Sequence, residues 1–368
     1  MDFCCHCNCK RKVIGYPRTI CRSNSLPNRP FPSCGNEDID AFIENTMPKE
    51  ESKTEYCDYF LEWIPYSHIK LIKNDPIAEG NYSRVFIGEW KPLEQGGEVV
   101  DDKELINIDI ALKVLKESEN LGSEFLNEFK IHYKFLGVCA IPFYGLTIHP
   151  AMNEYAMIMK RAIHGDLRKF IDNSKLSWSE RVKIISSIAK SLNELHNLDI
   201  IHRDLHCGNI LVDEVDNDTK IFISDFGFSR TIEFPSEGII GVLPYVAPEV
   251  LCGQPYMKES DIYSLGTIMW ELTSSERPFS GRAHDLDLAV EIVFKKLRPK
   301  VVEGTPEVYK NIMERCWNAE PSERPDLLFL INEYEELIKN PSPLQKPLRK
   351  AFWNPPSNGI KSKIMFIT

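Results

Sequence analysis

Between residues 200 and 227 the chain concentrates its polar chemistry in two short stretches bounded by aliphatic residues, IIHRDLHCGNIL (200–211) and ISDFG (223–227). Asp204 offers a carboxylate able to accept a proton, and Asn209 and Asp225 offer the hard oxygens that Mg²⁺ prefers. Upstream, Lys113 in the strand-like run IALKVLK supplies a cation. Glu128 lies in EFLNEFKIHYKF, whose helical spacing turns Phe125, Phe129 and Leu136 inward and leaves Glu128 able to hold that lysine. Taken singly, each of these residues is as well explained by a surface charge. Jointly they require a fold that gathers a cation, an anion, a base and two oxygen ligands from distant parts of the chain.

The periodicities supply such a frame. Alternating or β-branched segments at 77–90, 108–116, 141–148 and 155–160 predict a small sheet interrupted by one helix near 122–136. Beyond residue 163, helical periodicity at 178–196, 260–274, 284–296 and 306–317 dominates. A β-rich part followed by a helix-rich part reads as an α+β chain of two lobes with a cleft between them. The run DEVDNDTK (213–220) lacks the glycine and terminal glutamate of a calcium loop and predicts a polar hairpin turn.

Residues 1–72 differ in texture. Six of the eleven cysteines (Cys4, Cys5, Cys7, Cys9, Cys21, Cys34) fall in the first 34 residues, followed by NEDIDAFIENTM, which predicts a helix with Ile39, Phe42 and Ile43 on one face. Cys4, Cys7, Cys21 and Cys34 could offer four thiolates to zinc, but the second pair lacks tight CxxC spacing, and a metal-free segment is the favoured reading. Residues 339–368 read as a loosely held tail. The net charge of −10 disfavours nonspecific nucleic-acid binding. No apolar run approaches the roughly 18 residues of a membrane span. MDFCCHCNCKRKV lacks the apolar centre of a secretory signal. The expectation is a cytoplasmic or nuclear protein, with its cysteines as thiols and no membrane partner. Oligomeric state leaves no signal in the sequence.

The order Lys113, Glu128, HRD (202–204), Asn209, DFG (225–227) and APE (247–249) resembles the eukaryotic protein-kinase family over about residues 73–338. CWNAEPSERP and YVAPEV resemble its tyrosine-kinase-like group. The resemblance implies a bilobal protein-kinase fold with an N-lobe at 73–159, a hinge at 160–165 and a C-lobe at 166–338. It also implies transfer of the γ-phosphoryl group of ATP to hydroxyls of protein substrates, with Mg²⁺ or Mn²⁺ as the metal.

Carried over residue by residue, Asp204 becomes the base, Lys113 and Glu128 the phosphate-binding pair, and Asn209 and Asp225 the metal ligands. Met159 matches the gatekeeper, the backbones of Lys160 and Ala162 meet the adenine edge, and Asp166 reaches the ribose. Val85, Ala111 and Leu211 sandwich the adenine, with Ile77, Ala78, Gly80 and Ser83 over the phosphates. Asp261, in DIYSLGTIMWEL, matches the anchor of the catalytic loop, and Arg324 the ion-pair partner of Glu249. Lys113 and Asp225, acting in an open site, are expected to be replaceable with the fold largely intact. Residues before about Tyr66 are expected to be dispensable for catalysis.

Departures from the family pattern narrow the reading. Ala78 and Ser83 replace two glycines of the phosphate loop IAEGNYSRVF, predicting a stiffer loop. His206 stands where Ser/Thr kinases place a phosphate-contacting Lys, and Val242 where they place Thr. The tyrosine-kinase catalytic-loop pattern is also missing, so a Ser/Thr acceptor is favoured over tyrosine. An inactive nucleotide-binding scaffold is the rival reading. Arg203 can pair with a phosphorylated activation-segment residue, for which Ser229, Thr231 and, by preference, Ser236 are the hydroxyls.

Overall fold

The computed structural model describes residues 10–11, 33–46, 56–57, 60–80, 82–91, 107–118, 123–215, 217–231 and 239–344. Its packing divides the chain into two units, Met1–Ile163 with Glu214–Thr219 and His164–Asp213 with Lys220–Thr368. Among the described residues no helix is long and apolar enough to cross a membrane.

In the first unit a seven-stranded sheet runs in the order β1 (Glu62–Trp63), β6 (Phe143–His149), β7 (Glu154–Lys160), β5 (Ile108–Leu115), β4 (Ser83–Trp90) and β2 (Ile69–Leu71). The short strand β3 (Ala78–Glu79) folds back on β4. Neighbours are antiparallel except β1 and β6, which run parallel. Strand alternation sorts side chains onto two faces. Phe86, Leu112, Val114 and Ile158 go to one face and build a core with Ile64, Ile69, Trp90, Ile110, Tyr144 and Ala156. The register places Val85, Lys113 and Met157 side by side on the other face, with Ile87, Ala111 and Met159 in the adjacent row.

The predicted helix is α2 (Ser123–Lys134). Its buried stripe is Glu128, Phe129, Ile131 and His132, continued by Phe135, whereas Phe125 and Leu136 are only half-buried. The expected stripe is thus rotated, because the helix packs with its acidic residue inward. His132 is a buried core residue, its Nε2 lying 2.8 Å from Ile141 O.

Residues ahead of 73 do more than the sequence suggested. Helix α1 (Glu37–Asn45) is capped by Asn36, whose Oδ1 accepts the N–H groups of Asp38 and Ile39 at 3.0 and 3.2 Å. It buries Ile39, Phe42 and Ile43, the face read from the sequence. Phe42 stacks on Phe129 with ring centroids 6.5 Å apart and meets Tyr133 edge-on at 6.1 Å. Tyr133 donates its hydroxyl to Thr46 O at 3.1 Å, and Leu61 N donates to Thr46 Oγ1 at 2.9 Å. Starting the chain at Tyr66 would strip α1, β1, Phe60, Leu61 and Ile64 from this core, so the expected dispensability of that segment is corrected. Apolar residues spaced for a helix find their partners on α2.

The second unit is helical: α3 (Leu167–Asn173), α4 (Trp178–His196), α5 (Pro248–Leu251), α6 (Lys258–Ser274), α7 (Leu286–Phe294), α8 (Glu307–Cys316) and α9 (Leu327–Lys339). Helix α6 is buried on all sides from Ser260 to Thr273 and packs against α4 and α8, while α4 also packs on α9. Helix α4 starts with a reciprocal cap between Ser177 and Glu180. Strands β8 (Ile200–Ile201) and β11 (Arg230–Thr231) pair, and β9 (Ile210–Val215) with β10 (Asp218–Ile223) forms the hairpin expected in place of a calcium loop.

Truncating Phe42 to Ala empties a buried aromatic site between α1 and α2 and is expected to lower stability by about 3 kcal/mol. Thermal melting of the full chain measures this; an unchanged melting temperature contradicts the docking of α1.

Candidate functional site

In the first unit, Lys113 Nζ lies 2.5 Å from Glu128 Oε1, and the two side chains are only 8% and 7% exposed. Sheet alternation delivers the lysine to the face opposite the apolar core, and the inward stripe of α2 delivers the glutamate. Val85, Ala111 and Met159 share that face, so the adenine-site residues assigned to this unit lie together with Lys113. Ile77, Ala78 and Gly80 are exposed, and Ser83 is half-buried. Gly80 N donates to Ser83 O at 2.9 Å, closing the turn of the phosphate loop. Lys160 N donates to Pro142 O at 2.8 Å, while among the described residues no backbone carbonyl accepts the Ala162 N–H.

In the second unit the catalytic loop hangs from α6. Asp261, 1% exposed, accepts His202 N at 2.9 Å and Arg203 N at 3.0 Å, and His196 Nε2 lies 2.8 Å from its Oδ2. Burial pushes the Asp261 carboxyl up, but the bond from His196 and the facing imidazoles outweigh it and hold the group below its ordinary value. Held this way, Arg203 adopts φ +73° and Asp204 follows in a fixed place.

Asn209 Nδ2 donates to Asp204 O at 2.8 Å and to Asp204 Oδ2 at 3.2 Å. Asp204 Oδ1 is buried and, among the described residues, accepts no hydrogen bond. Burial again opposes charge, yet His206, His202 and Asn209 lower the Asp204 carboxyl below its usual value. Gly241, at φ +115°, backs this carboxylate: a Cβ there would lie 3.4 Å from Asp204 Oδ1 and 3.4 Å from Arg203 O.

The DFG strand is tied to the same loop, since Ser224 N and Oγ both donate to Asn209 O, at 2.9 and 3.1 Å. His202 and Phe226 meet edge-on at 5.8 Å. Asp225 sits in the left-handed region at φ +64°, a conformation that a non-glycine residue keeps only where its surroundings impose it. With its amide nitrogen committed to Asp204, Asn209 has Oδ1 for a cation, and the neighbouring Asp225 adds a carboxylate. Among the described residues no group of three His, Cys, Asp or Glu side chains could hold a metal. Two hard oxygens suit Mg²⁺, which takes its remaining ligands from phosphate and water.

Asp166 and Leu211 are brought together by a single β-bridge, and both are half-buried. Asp166 Oδ1 accepts Lys169 N at 2.8 Å, so the residue assigned to the ribose also caps α3. The Glu249–Arg324 pair is bidentate at 2.7 and 2.6 Å, with Arg324 over the Tyr263 ring. Ser229 is corrected as a modification site: it is fully buried, and its Oγ lies 3.4 Å from His202 O. Ser236 lies outside the described residues, as do Cys4, Cys7 and Cys21. Cys34 is a half-buried thiol beside Asp40, pushed up to about 11 by burial and by that carboxylate.

Three features escaped the sequence reading. Tyr245 donates its hydroxyl to Glu271, and Glu271 is paired with Arg168 at 2.7 Å, all buried. His196 completes the Asp261 cluster. Gly208 faces the His206 ring: a Cβ there would lie 2.7 Å from His206 Cε1. The His-x-Gly spacing was the available signal for the last of these.

The profile of the protein tyrosine and serine/threonine kinases matches residues 71–333. Among curated proteins the chain is similar to a putative serine/threonine-protein kinase/receptor of Acanthamoeba polyphaga mimivirus, 30% identical over 280 residues, covering 75% of this chain and 16% of that protein. A probable serine/threonine-protein kinase of Dictyostelium discoideum is 28% identical over 279 residues, covering 73% and 19%. The serine/threonine-protein kinase STY17 of Arabidopsis thaliana is 29% identical over 297 residues, covering 76% and 46%. The chain thus spans less than half the length of each.

The burial of Lys113 attaches a stability cost to its replacement. Lys113→Met leaves the Glu128 carboxylate buried without its cation and is expected to destabilise by about 3 kcal/mol. Adding Glu128→Gln is expected to recover much of that loss in thermal melting; equal melting temperatures for wild type and Lys113→Met contradict it.

Proposed function

The chain belongs to the protein tyrosine and serine/threonine kinase family, and we propose that it is an active kinase that transfers the γ-phosphoryl group of ATP to serine or threonine hydroxyls of protein substrates. The observation that carries this reading is the state of Asp204: ionised, buried, and fixed through the backbone of its own loop to Asp261. A carboxylate so placed accepts the proton of the acceptor hydroxyl as that oxygen bonds to the γ-phosphorus. The bond from phosphorus to the β–γ bridging oxygen breaks, and ADP leaves with the electron pair.

Lys113, oriented by Glu128, draws charge from the phosphates. Asn209 Oδ1 and the Asp225 carboxylate are the groups that would hold Mg²⁺, which supplies neutralisation of phosphate charge when bound. Val85, Ala111, Met159 and Leu211 offer apolar surface to adenine, the Ala162 N–H offers a donor to its edge, and Asp166 offers an acceptor to the ribose. The serine/threonine acceptor is supported by the descriptions of the similar kinases. The proposed catalytic domain is residues 73–338, with the earlier segment bracing α2 through α1.

The test is incubation with γ-labelled ATP, Mg²⁺ and serine-, threonine- or tyrosine-containing peptides. Label is expected on serine or threonine, and Asp204→Asn is expected to reduce transfer by about 100-fold or more while sparing the melting temperature. A folded wild type that labels nothing contradicts the reading, and label on tyrosine alone contradicts the acceptor.

A further inference from the structure

His206 stands two residues beyond the catalytic base, and both of its ring nitrogens face the protein. Nδ1 accepts the Gly208 N–H at 3.0 Å, which requires that nitrogen to carry no proton and places the proton of the neutral ring on Nε2. Nε2 lies 3.6 Å from Asp204 Oδ1. That oxygen is buried and, among the described residues, accepts no hydrogen bond, whereas Oδ2 is bonded by Asn209. The separation is roughly 0.6 Å beyond an ordinary N–H···O contact, within reach of a small ring rotation.

One face of the ring packs on a neighbour. Its face tilts against Tyr245, centroids 5.8 Å apart, and Tyr245 is itself fixed by its hydroxyl on Glu271. Gly208 makes the fold-back feasible. A Cβ at that position would lie 2.7 Å from His206 Cε1 and 2.9 Å from Nδ1, closer than such atoms approach. With Nδ1 turned onto the loop and Nε2 toward Asp204, the imidazole is committed to the carboxylate and not to a phosphate.

We infer that His206 is a positioning residue for the catalytic carboxylate: its Nε2–H holds Asp204 Oδ1, as Asn209 holds Oδ2, and so fixes the carboxylate plane toward the acceptor hydroxyl. Gly208 is its steric companion. This inference rests on the reading of Asp204 as the base. It gives the lysine-replacing histidine a different job from the phosphate contact that the family resemblance assigns to that position.

The experiment compares wild type with His206→Leu and His206→Gln in steady-state phosphorylation of a serine or threonine peptide. Leucine keeps bulk and removes the donor; glutamine carries an N–H near the place of Nε2. His206→Leu is expected to lower kcat about tenfold or more with the KM for ATP within about twofold, and His206→Gln to recover most of the loss. A leucine variant with wild-type kcat, or a glutamine variant as slow as leucine, overturns the inference.

Should the leucine variant fail to fold, the coupling to Gly208 decides. Gly208→Ala is expected to lower kcat in wild type but to cost nothing further in a His206→Ala background, and equal costs in both backgrounds overturn the inference. A wild type that transfers no phosphate overturns the kinase reading along with it. Transfer by wild type that is unaffected in His206→Leu overturns the positioning role alone.

Discussion

The buried carboxylate of Asp261 is the interaction on which the catalytic geometry depends. It accepts two successive backbone N–H groups, of His202 and Arg203, and faces the His196 imidazole from the end of α4. A hydrogen bond to a charged group contributes about 1.5–3 kcal/mol. A non-glycine residue in the left-handed region costs about 1–3 kcal/mol. The two backbone bonds therefore suffice to hold Arg203 at φ +73° and to present Asp204 in one place. Helix α6 can serve as the anchor because it is buried on every side and has no freedom to shift.

Each unit prepares its own part of the chemistry. In the first, strand alternation separates an apolar core from a functional face, and the Lys113–Glu128 pair ties that face to α2. Helix α1 stiffens the arrangement from outside, since Phe42 and Thr46 grip Phe129 and Tyr133 on the helix that carries Glu128. In the second, Asn209 and Ser224 lace the DFG strand to the catalytic loop, so that the two oxygen groups proposed to hold Mg²⁺ come from adjacent backbone. Glu249–Arg324 and Arg168–Glu271–Tyr245 are buried charge networks whose partners are fully engaged, which is the condition under which buried charge is tolerated.

Much of this was legible in the sequence because it follows from local period and residue chemistry. The two-residue alternation around Lys113, the mostly apolar run DIYSLGTIMWEL that begins with Asp261, and the inward face of α1 read directly from spacing. Asp261 and the Glu249–Arg324 pair were legible through the family resemblance, which implied a role for each. What stayed hidden depends on how distant segments meet. The rotation of α2 that buries Phe135 in preference to Phe125, the burial of Ser229 under His202, and the docking of α1 on α2 are tertiary choices. The fold-back of His206 needed both an empty Cβ position at Gly208, signalled only by the His-x-Gly spacing, and a ring at Tyr245, which a departure from a motif does not reveal.

The central claim, that the catalytic loop is a rigid extension of α6, is tested most directly by amide hydrogen exchange at His202 and Arg203 in the ligand-free protein. If Asp261 holds both N–H groups as described, they exchange as slowly as the buried amides of α6 and open only with the whole unit. Exchange at the rate of an exposed loop, with α6 still protected, would contradict the account.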